Sequence, residues 1–202
     1  TYTLQGGYGP SLMDEVLRYS RLSAALAVQE DFDVIHAHDW MTYPAGMLAK
    51  TLTGKPLVVH IHATEYDRSG SDINEQVAGI ERAGMLAADV VVAVGWQFWD
   101  GLTVVVPEMP DTKFIFVDNG LDGVGDNLLS ITYAENEGSF LAGYVAMKLA
   151  ESGVVGVIGG ENSDTINNFV VGYKQGALYA NPEGTVLDPV YTDDYEAPDK
   201  GK

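Results

Sequence analysis

Apolar positions along the chain alternate between two periods. Ser11 caps a helix, with Asp14 and Glu15 in its first turn, where carboxylates complement the helix dipole. Leu12, Val16, Tyr19, Leu22 and Leu26 follow as a stripe at helical spacing. Val34 to His38 reads as a short strand. Pro44 opens a second helix, which runs through Lys50 and Leu52 and ends at Gly54. Leu57 to Ala63 is the next strand and Asp67 to Asp72 a polar loop. Ile73, Val77, Ile80 and Met85 mark a helix that reaches Ala88. Val90 to Val94 is a continuous apolar run, the pattern of a strand covered on both faces.

Residues 97–109 are read as a crossover helix. The run Thr103-Val104-Val105-Val106 favours strand by propensity, but the segment lies between two apolar strands that need a connection. Phe114 to Val117 and Leu128 to Tyr133 are strands, and Asn136 caps a helix to about Glu151. Val154 to Ile158 is a strand ending in Gly159-Gly160, Thr165 to Ala180 a helix, and Val186 to Tyr191 a last strand. The ends, Thr1 to Pro10 and Asp193 to Lys202, read as a loose arm and a polar tail.

Strands alternating with helices predict an α/β, Rossmann-like, mainly parallel sheet. Right-handed crossovers are expected to place helices on both faces. The C-terminal strands form either a partial second lobe or an extension of the sheet.

Composition narrows the function. The 202 residues are 46% hydrophobic and 20% charged, which suits a globular chain with a sizeable core. Twenty-nine acidic residues against 11 basic give a formal charge of −18, which disfavours nucleic acid and anionic membranes as partners. There are no cysteines, so disulfides, thiolate metal sites and cysteine nucleophiles are excluded. No apolar run approaches the roughly 20 residues of a membrane span, and the first residues do not resemble a signal peptide, so a cytoplasmic chain is expected if it is expressed as given.

The string DFDVIHAHDWMTYPAGMLAKTLTGKPLVVHIHATEYDRSG, Asp31 to Gly70, continued by NEQVAGIERAGMLAADVVVAV, Asn74 to Val94, resembles the N-terminal domain of family 4 glycosyltransferases and glycogen synthases. This resemblance covers about residues 11–94. It implies an acceptor-side Rossmann-like domain, with His36, His38, Asp39, His60, His62 and Glu65 at or just past two strand ends. In open parallel sheets ligands bind at that edge. The family's pair of donor-site glutamates, seven residues apart, has no counterpart here, which argues against enzyme activity.

The four histidines form two pairs, His36 with His38 and His60 with His62, each on one strand face by alternation. Zinc takes about four such ligands. The glycosyltransferase resemblance accounts for both pairs without metal, so no metal site and no cofactor is assigned.

A second resemblance begins at VGWQFWDGLTVVVPEMPDTKFIFVDNG, Val94 to Gly120, and is strongest in SITYAENEGSFLAGYVAMKLAESGVVGVIGG, Ser130 to Gly160. These stretches, with FVVGYKQGALYANP and YTDDYEAPDKGK, are similar to the basic membrane protein family of nucleoside-binding proteins of ABC importers, over about residues 90–202. The resemblance implies a type I periplasmic binding fold that closes on a nucleoside. Trp96, Phe98 and Asp118 are the candidate ligand residues, since a base stacks on an aromatic face and ribose hydroxyls favour a carboxylate. The alternative reading makes the two aromatics core-edge residues and Asp118 a turn residue. Glu135 and Glu137 are explained by the helix start. Gly156, Gly159 and Gly160 match no phosphate-loop pattern.

Two partial resemblances meeting in ADVVVAV, Ala88 to Val94, lead to the expectation of a composite or engineered scaffold with no complete active site. Its expected parts are residues 1–94, residues 95–150 completing the same sheet, and residues 151–202. The alternatives are a weak nucleoside- or sugar-binding module and a glycosyltransferase acceptor-domain fragment. Exposed sheet edges suggest a homodimer.

Overall fold

The computed structural model describes residues 11–194; the N-terminal arm and residues 195–202 of the polar tail lie outside them. The chain divides into two compact units between Thr132 and Tyr133. The expected boundary near residue 94 falls inside the first unit and the one near residue 150 inside the second.

The first unit is built on five parallel strands: β1 (Ile35–His38), β2 (Leu57–Ile61), β3 (Val90–Val94), β4 (Lys113–Val117) and β5 (Leu128–Ile131). Their order across the sheet is the order along the chain, β1-β2-β3-β4-β5. Helices α1 (Leu12–Ala27), α2 (Tyr43–Thr53), α3 (Glu65–Ser69), α4 (Glu75–Ala87) and α5 (Trp99–Glu108) precede or connect the strands.

The parallel α/β sheet follows the sequence pattern. Its layering has a simple cause: right-handed crossovers that always step in the same direction deposit successive helices on one face. Ala37, Leu57, Val59, Ile61, Val91, Ala93, Phe114 and Phe116 point to that face and form one buried cluster with Tyr43 of α2 and Leu102 and Val106 of α5. The alternate positions, His36, His38, Val58, His60, Val90, Val92, Ile115 and Leu129, share the other face; of these only Val92 is fully buried. In this unit, therefore, the helices packed on the core lie on one side rather than on both.

Local chemistry sets the helix ends. The Ser11 hydroxyl accepts the Asp14 N–H at 3.3 Å, and Gly54 closes α2 at a φ of 69°. The face α1 buries is Val16, Ser20 and Ala24, whereas Leu12, Tyr19 and Leu26 of the expected stripe are exposed. Small side chains on the buried face let α1 approach α2 closely. Between α2 and α4, Gly84 leaves room for the Tyr43 ring: a Cβ there would lie 2.7 Å from Tyr43 Cγ. The Tyr43 hydroxyl donates to the His60 carbonyl at 3.0 Å, tying α2 to β2. Asp89, just before β3, accepts from Lys50 Nζ and from the Leu57 N–H, both at 2.7 Å.

Residues 67–72, expected as a loop, begin inside α3. The side chains of Thr64 and Asp67 form a capping box that stabilises this one-turn helix. The segment expected as a helix over residues 97–109 is one, led by a 3-10 turn at Trp96–Phe98.

The second unit runs α6 (Glu135–Leu149), β6 (Val154–Val155), β7 (Ile158–Gly159), α7 (Asp164–Ala180), β8 (Thr185–Val186) and β9 (Val190–Tyr191). The cap of α6 is Ala134, not Asn136, and makes no side-chain hydrogen bond. The expected strand Val154 to Ile158 is two short strands, as is the last: β6 pairs with β8 and β7 with β9, both parallel.

Helices α6 and α7 touch backbone to backbone. Cβ atoms at Gly172 and Gly176 would collide with the carbonyl oxygens of Asn136 and Phe140, and one at Gly143 with that of Tyr173. The Ser139 hydroxyl donates to the Phe169 carbonyl at 2.6 Å across the same seam. A methyl group cannot enter such a contact without parting the helices. Gly176→Ala is thus expected to destabilise the second unit by about 1–3 kcal/mol. Gly138→Ala, whose Cβ meets nothing within 4 Å, should be neutral or stabilising through helix propensity. Urea denaturation of the two variants followed by circular dichroism checks the contrast.

Candidate functional site

Five parallel strands end at one edge, and chain reversals there carry the side chains that can meet a ligand. Asp39 follows β1, His62 follows β2, Gly95 and Trp96 follow β3, and Asp118 follows β4. Three of these exits are left-handed: Asp39 at a φ of 58°, Gly95 at 105° and Asp118 at 71°. Such a backbone is uncommon for a residue with a side chain, and aspartate is among the few that tolerate it.

The exits of β1, β2 and β3 are laced together. The Asp39 carboxylate accepts the His62 N–H at 3.1 Å and faces His62 Nδ1 at 3.0 Å. The Asp39 N–H donates to the His60 carbonyl at 2.9 Å. Gln97 Nε2 reaches back to the carbonyls of His62, at 2.7 Å, and Val94, at 3.2 Å. Gln97 was not singled out from the sequence; its position two residues beyond a left-handed glycine at a strand exit is the signal that marks it. Farther along the edge, Trp96 is 61% exposed and Asp118 is exposed, on exits of neighbouring strands whose last residues, Val94 and Val117, are register partners.

Behind this edge, on the side of the sheet away from the helices, the imidazoles gather. Ring centroids of His36 and His38 are 4.3 Å apart, of His38 and His60 4.5 Å, and of His60 and His62 4.5 Å. His36 Nε2 and His60 Nδ1 are separated by 3.3 Å, while the buried His60 Nε2 has no hydrogen-bond partner among the described residues. Burial lowers the His60 pKa to about 4, with His62, His38 and His36 adding to the effect and Asp39 opposing it. Burial, then His38, also lowers that of His36.

Two candidates from the sequence lie elsewhere. Phe98 is half-buried against the core and lines, with Met85, Leu86, Leu102 and Met109, an apolar cavity of about 480 Å³. Glu65 is buried, its carboxylate held by Ser69 Oγ at 2.7 Å, the Asn74 N–H at 3.1 Å and Arg68 Nη2 at 3.1 Å. The Ser69 hydrogen bond foremost, then that of Asn74, lowers its pKa. The same guanidinium reaches Glu81, which also accepts the Glu65 N–H at 2.7 Å. Glu65 joins α3 to α4, with both carboxylate oxygens engaged there.

A parallel α/β unit that presents aromatic, carboxylate and imidazole groups at its carboxyl edge has the form of a Rossmann-like ligand-binding protein. The chain belongs to the Bmp family, described as ABC transporter substrate-binding protein PnrA-like, whose model matches residues 53–202. Basic membrane protein A of Borreliella burgdorferi is 32% identical over 115 residues, 56% of this chain and 34% of that protein. The CD4+ T-cell-stimulating antigen of Listeria monocytogenes is 32% identical over 114 residues, 56% of this chain and 31% of that protein. The matches thus span about a third of the length of these curated relatives. An ABC transporter solute-binding protein from Aeropyrum pernix K1 shares the fold, with a TM-score of 0.51 at 20% identity over 85% of this chain and 50% of that one.

The family is one of substrate-binding proteins, not of enzymes. Its match runs from residue 53 straight through Val94, where a junction between two ancestries was expected. Residues 53–94, read from the sequence as glycosyltransferase-like, lie within it, and no finding supports a glycosyltransferase half or a composite chain.

The histidine cluster has a pH signature. Above about pH 6.5 His60 is neutral whether the chain is folded or not. As the pH falls from there toward 4, the unfolded chain takes up a proton that the folded one refuses, so stability declines across that window and levels off below it. His60→Asn is expected to flatten this part of the profile, as measured by urea midpoints between pH 4 and 7.5.

Proposed function

We propose that the chain is a substrate-binding module of the ABC-importer type that holds a nucleoside against the carboxyl edge of its first sheet. One observation carries the reading: in a member of the Bmp family, an exposed indole and an exposed carboxylate, Trp96 and Asp118, leave adjacent strands at that edge. An indole face suits a purine or pyrimidine base. A carboxylate held by a left-handed turn accepts hydrogen bonds from vicinal ribose hydroxyls. Asp39 and His62 complete the polar part of the edge, with Asp39 pre-oriented by its bonds to His62, while His36 and His38 lie behind it on the open face of the sheet. Phe98 and Glu65 support the edge from behind rather than touching the ligand.

Charge refines the class. With a formal charge of −18 the protein repels anions, so an uncharged nucleoside is favoured over the corresponding nucleotide. Nucleic acid is disfavoured on the same ground. Among the described residues no helix is long and apolar enough to cross a membrane.

Tryptophan fluorescence titrated with adenosine, guanosine, uridine, adenosine monophosphate and glucose tests the proposal. A saturable change with nucleosides at sub-millimolar to millimolar concentration is expected, with the monophosphate weaker. Trp96→Ala and Asp118→Ala should each weaken binding at least tenfold while leaving the circular dichroism spectrum unchanged. Saturation by glucose alone would move the ligand class to sugars. No response to any of them at millimolar concentration would overturn the binding reading and leave a scaffold without a working site.

A further inference from the structure

We propose that His36, His38 and His60 form a binding site for a divalent transition-metal ion of the zinc type on the open face of the first sheet. The register of β1 and β2 creates it. His38 lies directly opposite His60, and His36 is two residues earlier on the same face, so three imidazoles converge from two neighbouring strands. One ring nitrogen from each lies within 4.8 Å of the others.

The spacing inside the cluster suits a shared cation. Two nitrogens bound to zinc at about 2.0–2.1 Å in tetrahedral geometry stand about 3.4 Å apart. His36 Nε2 and His60 Nδ1 are already 3.3 Å apart. Two imidazoles facing each other at that distance make one hydrogen bond at most. Shared metal ligation uses the lone pairs of His36 Nε2 and His60 Nδ1, which otherwise face each other; His60 Nε2, without a partner among the described residues, then carries the ring proton.

The ligand type selects the metal. Three neutral imidazoles with no carboxylate among them favour zinc, copper or nickel over calcium or magnesium, which take oxygen ligands. Three ligands also leave a fourth position open, as in zinc sites that hold an exchangeable group. The Asp39–His62 pair lies beside the cluster: His62 stacks on His60 with centroids 4.5 Å apart. The site stands independently of nucleoside capture, because neither Trp96 nor Asp118 contributes a ligand.

Calorimetric titration of the metal-free chain with zinc chloride at pH 7.5, in 5 mM magnesium to occupy surface carboxylates, tests the site. One equivalent bound with micromolar or tighter affinity is expected. Cobalt(II) should bind at the same stoichiometry and give the visible absorption of a low-coordinate nitrogen site. His38→Gln, a change at an exposed residue, should weaken zinc at least tenfold, and His36→Gln likewise, with circular dichroism unchanged. The proposal is overturned if no saturable equivalent binds, or if both variants bind zinc as tightly as the parent chain, which would assign the uptake to acidic surface groups.

Discussion

The first unit depends on one continuous apolar layer, the face of five parallel strands that carries Ala37, Val59, Val91, Phe114 and Phe116. Parallel register aligns these positions row by row, and the helices add Tyr43, Leu102 and Val106 to the same cluster. Burial of such a layer is the dominant favourable term in a fold of this size. Every candidate site residue at the strand ends is placed by it. Once Val59 and Val91 point inward, alternation forces His38, His60 and Val92 outward, and the strand ends at Asp39, His62, Trp96 and Asp118 fall on one edge.

The two sides of the sheet therefore do different work. The helix-covered side supplies rigidity, reinforced by the Glu65–Arg68–Glu81 cluster and by the hold of Asp89 on Lys50 and Leu57. The other side and the carboxyl edge carry imidazole, indole and carboxylate groups on a backbone that cannot easily shift. Rigid elements beneath a polar site are what allow binding without a large ordering cost. The second unit obtains its rigidity differently, through glycines that bring α6 and α7 into backbone contact and through two pairs of very short parallel strands.

Much of this architecture was legible in the residues. The β3 run Val90 to Val94 has no polar interruption, and the caps at Ser11 and Gly54 are unambiguous in type. What escaped was set by close packing or by very short range. The stripe on α1 was misjudged because its buried face uses serine and alanine, which hydrophobic periodicity scores poorly. α3 was missed because a five-residue polar helix shows no period, although Thr64 and Asp67 spell its capping box. At the edge, Trp96, Asp118, Asp39 and His62 were identifiable from strand ends alone. The burial of Glu65 was not, since it depends on Arg68, three residues on, being shared with Glu81, sixteen residues on. Local strings over residues 11–94 suggest a second ancestry; the family pattern starts at residue 53 and runs through residues 53–94 to the end of the chain without a break.

The left-handed backbone at Asp39 and Asp118 has an evolutionary consequence. Few side chains are stable in that conformation, with asparagine, aspartate and glycine the main ones. Drift at these two strand exits is therefore confined to a short list of small polar residues or none. Substitution meets less resistance at Trp96 and His62, which are free of that backbone restriction, while the two aspartates stay in place as fixed points of the strand exits.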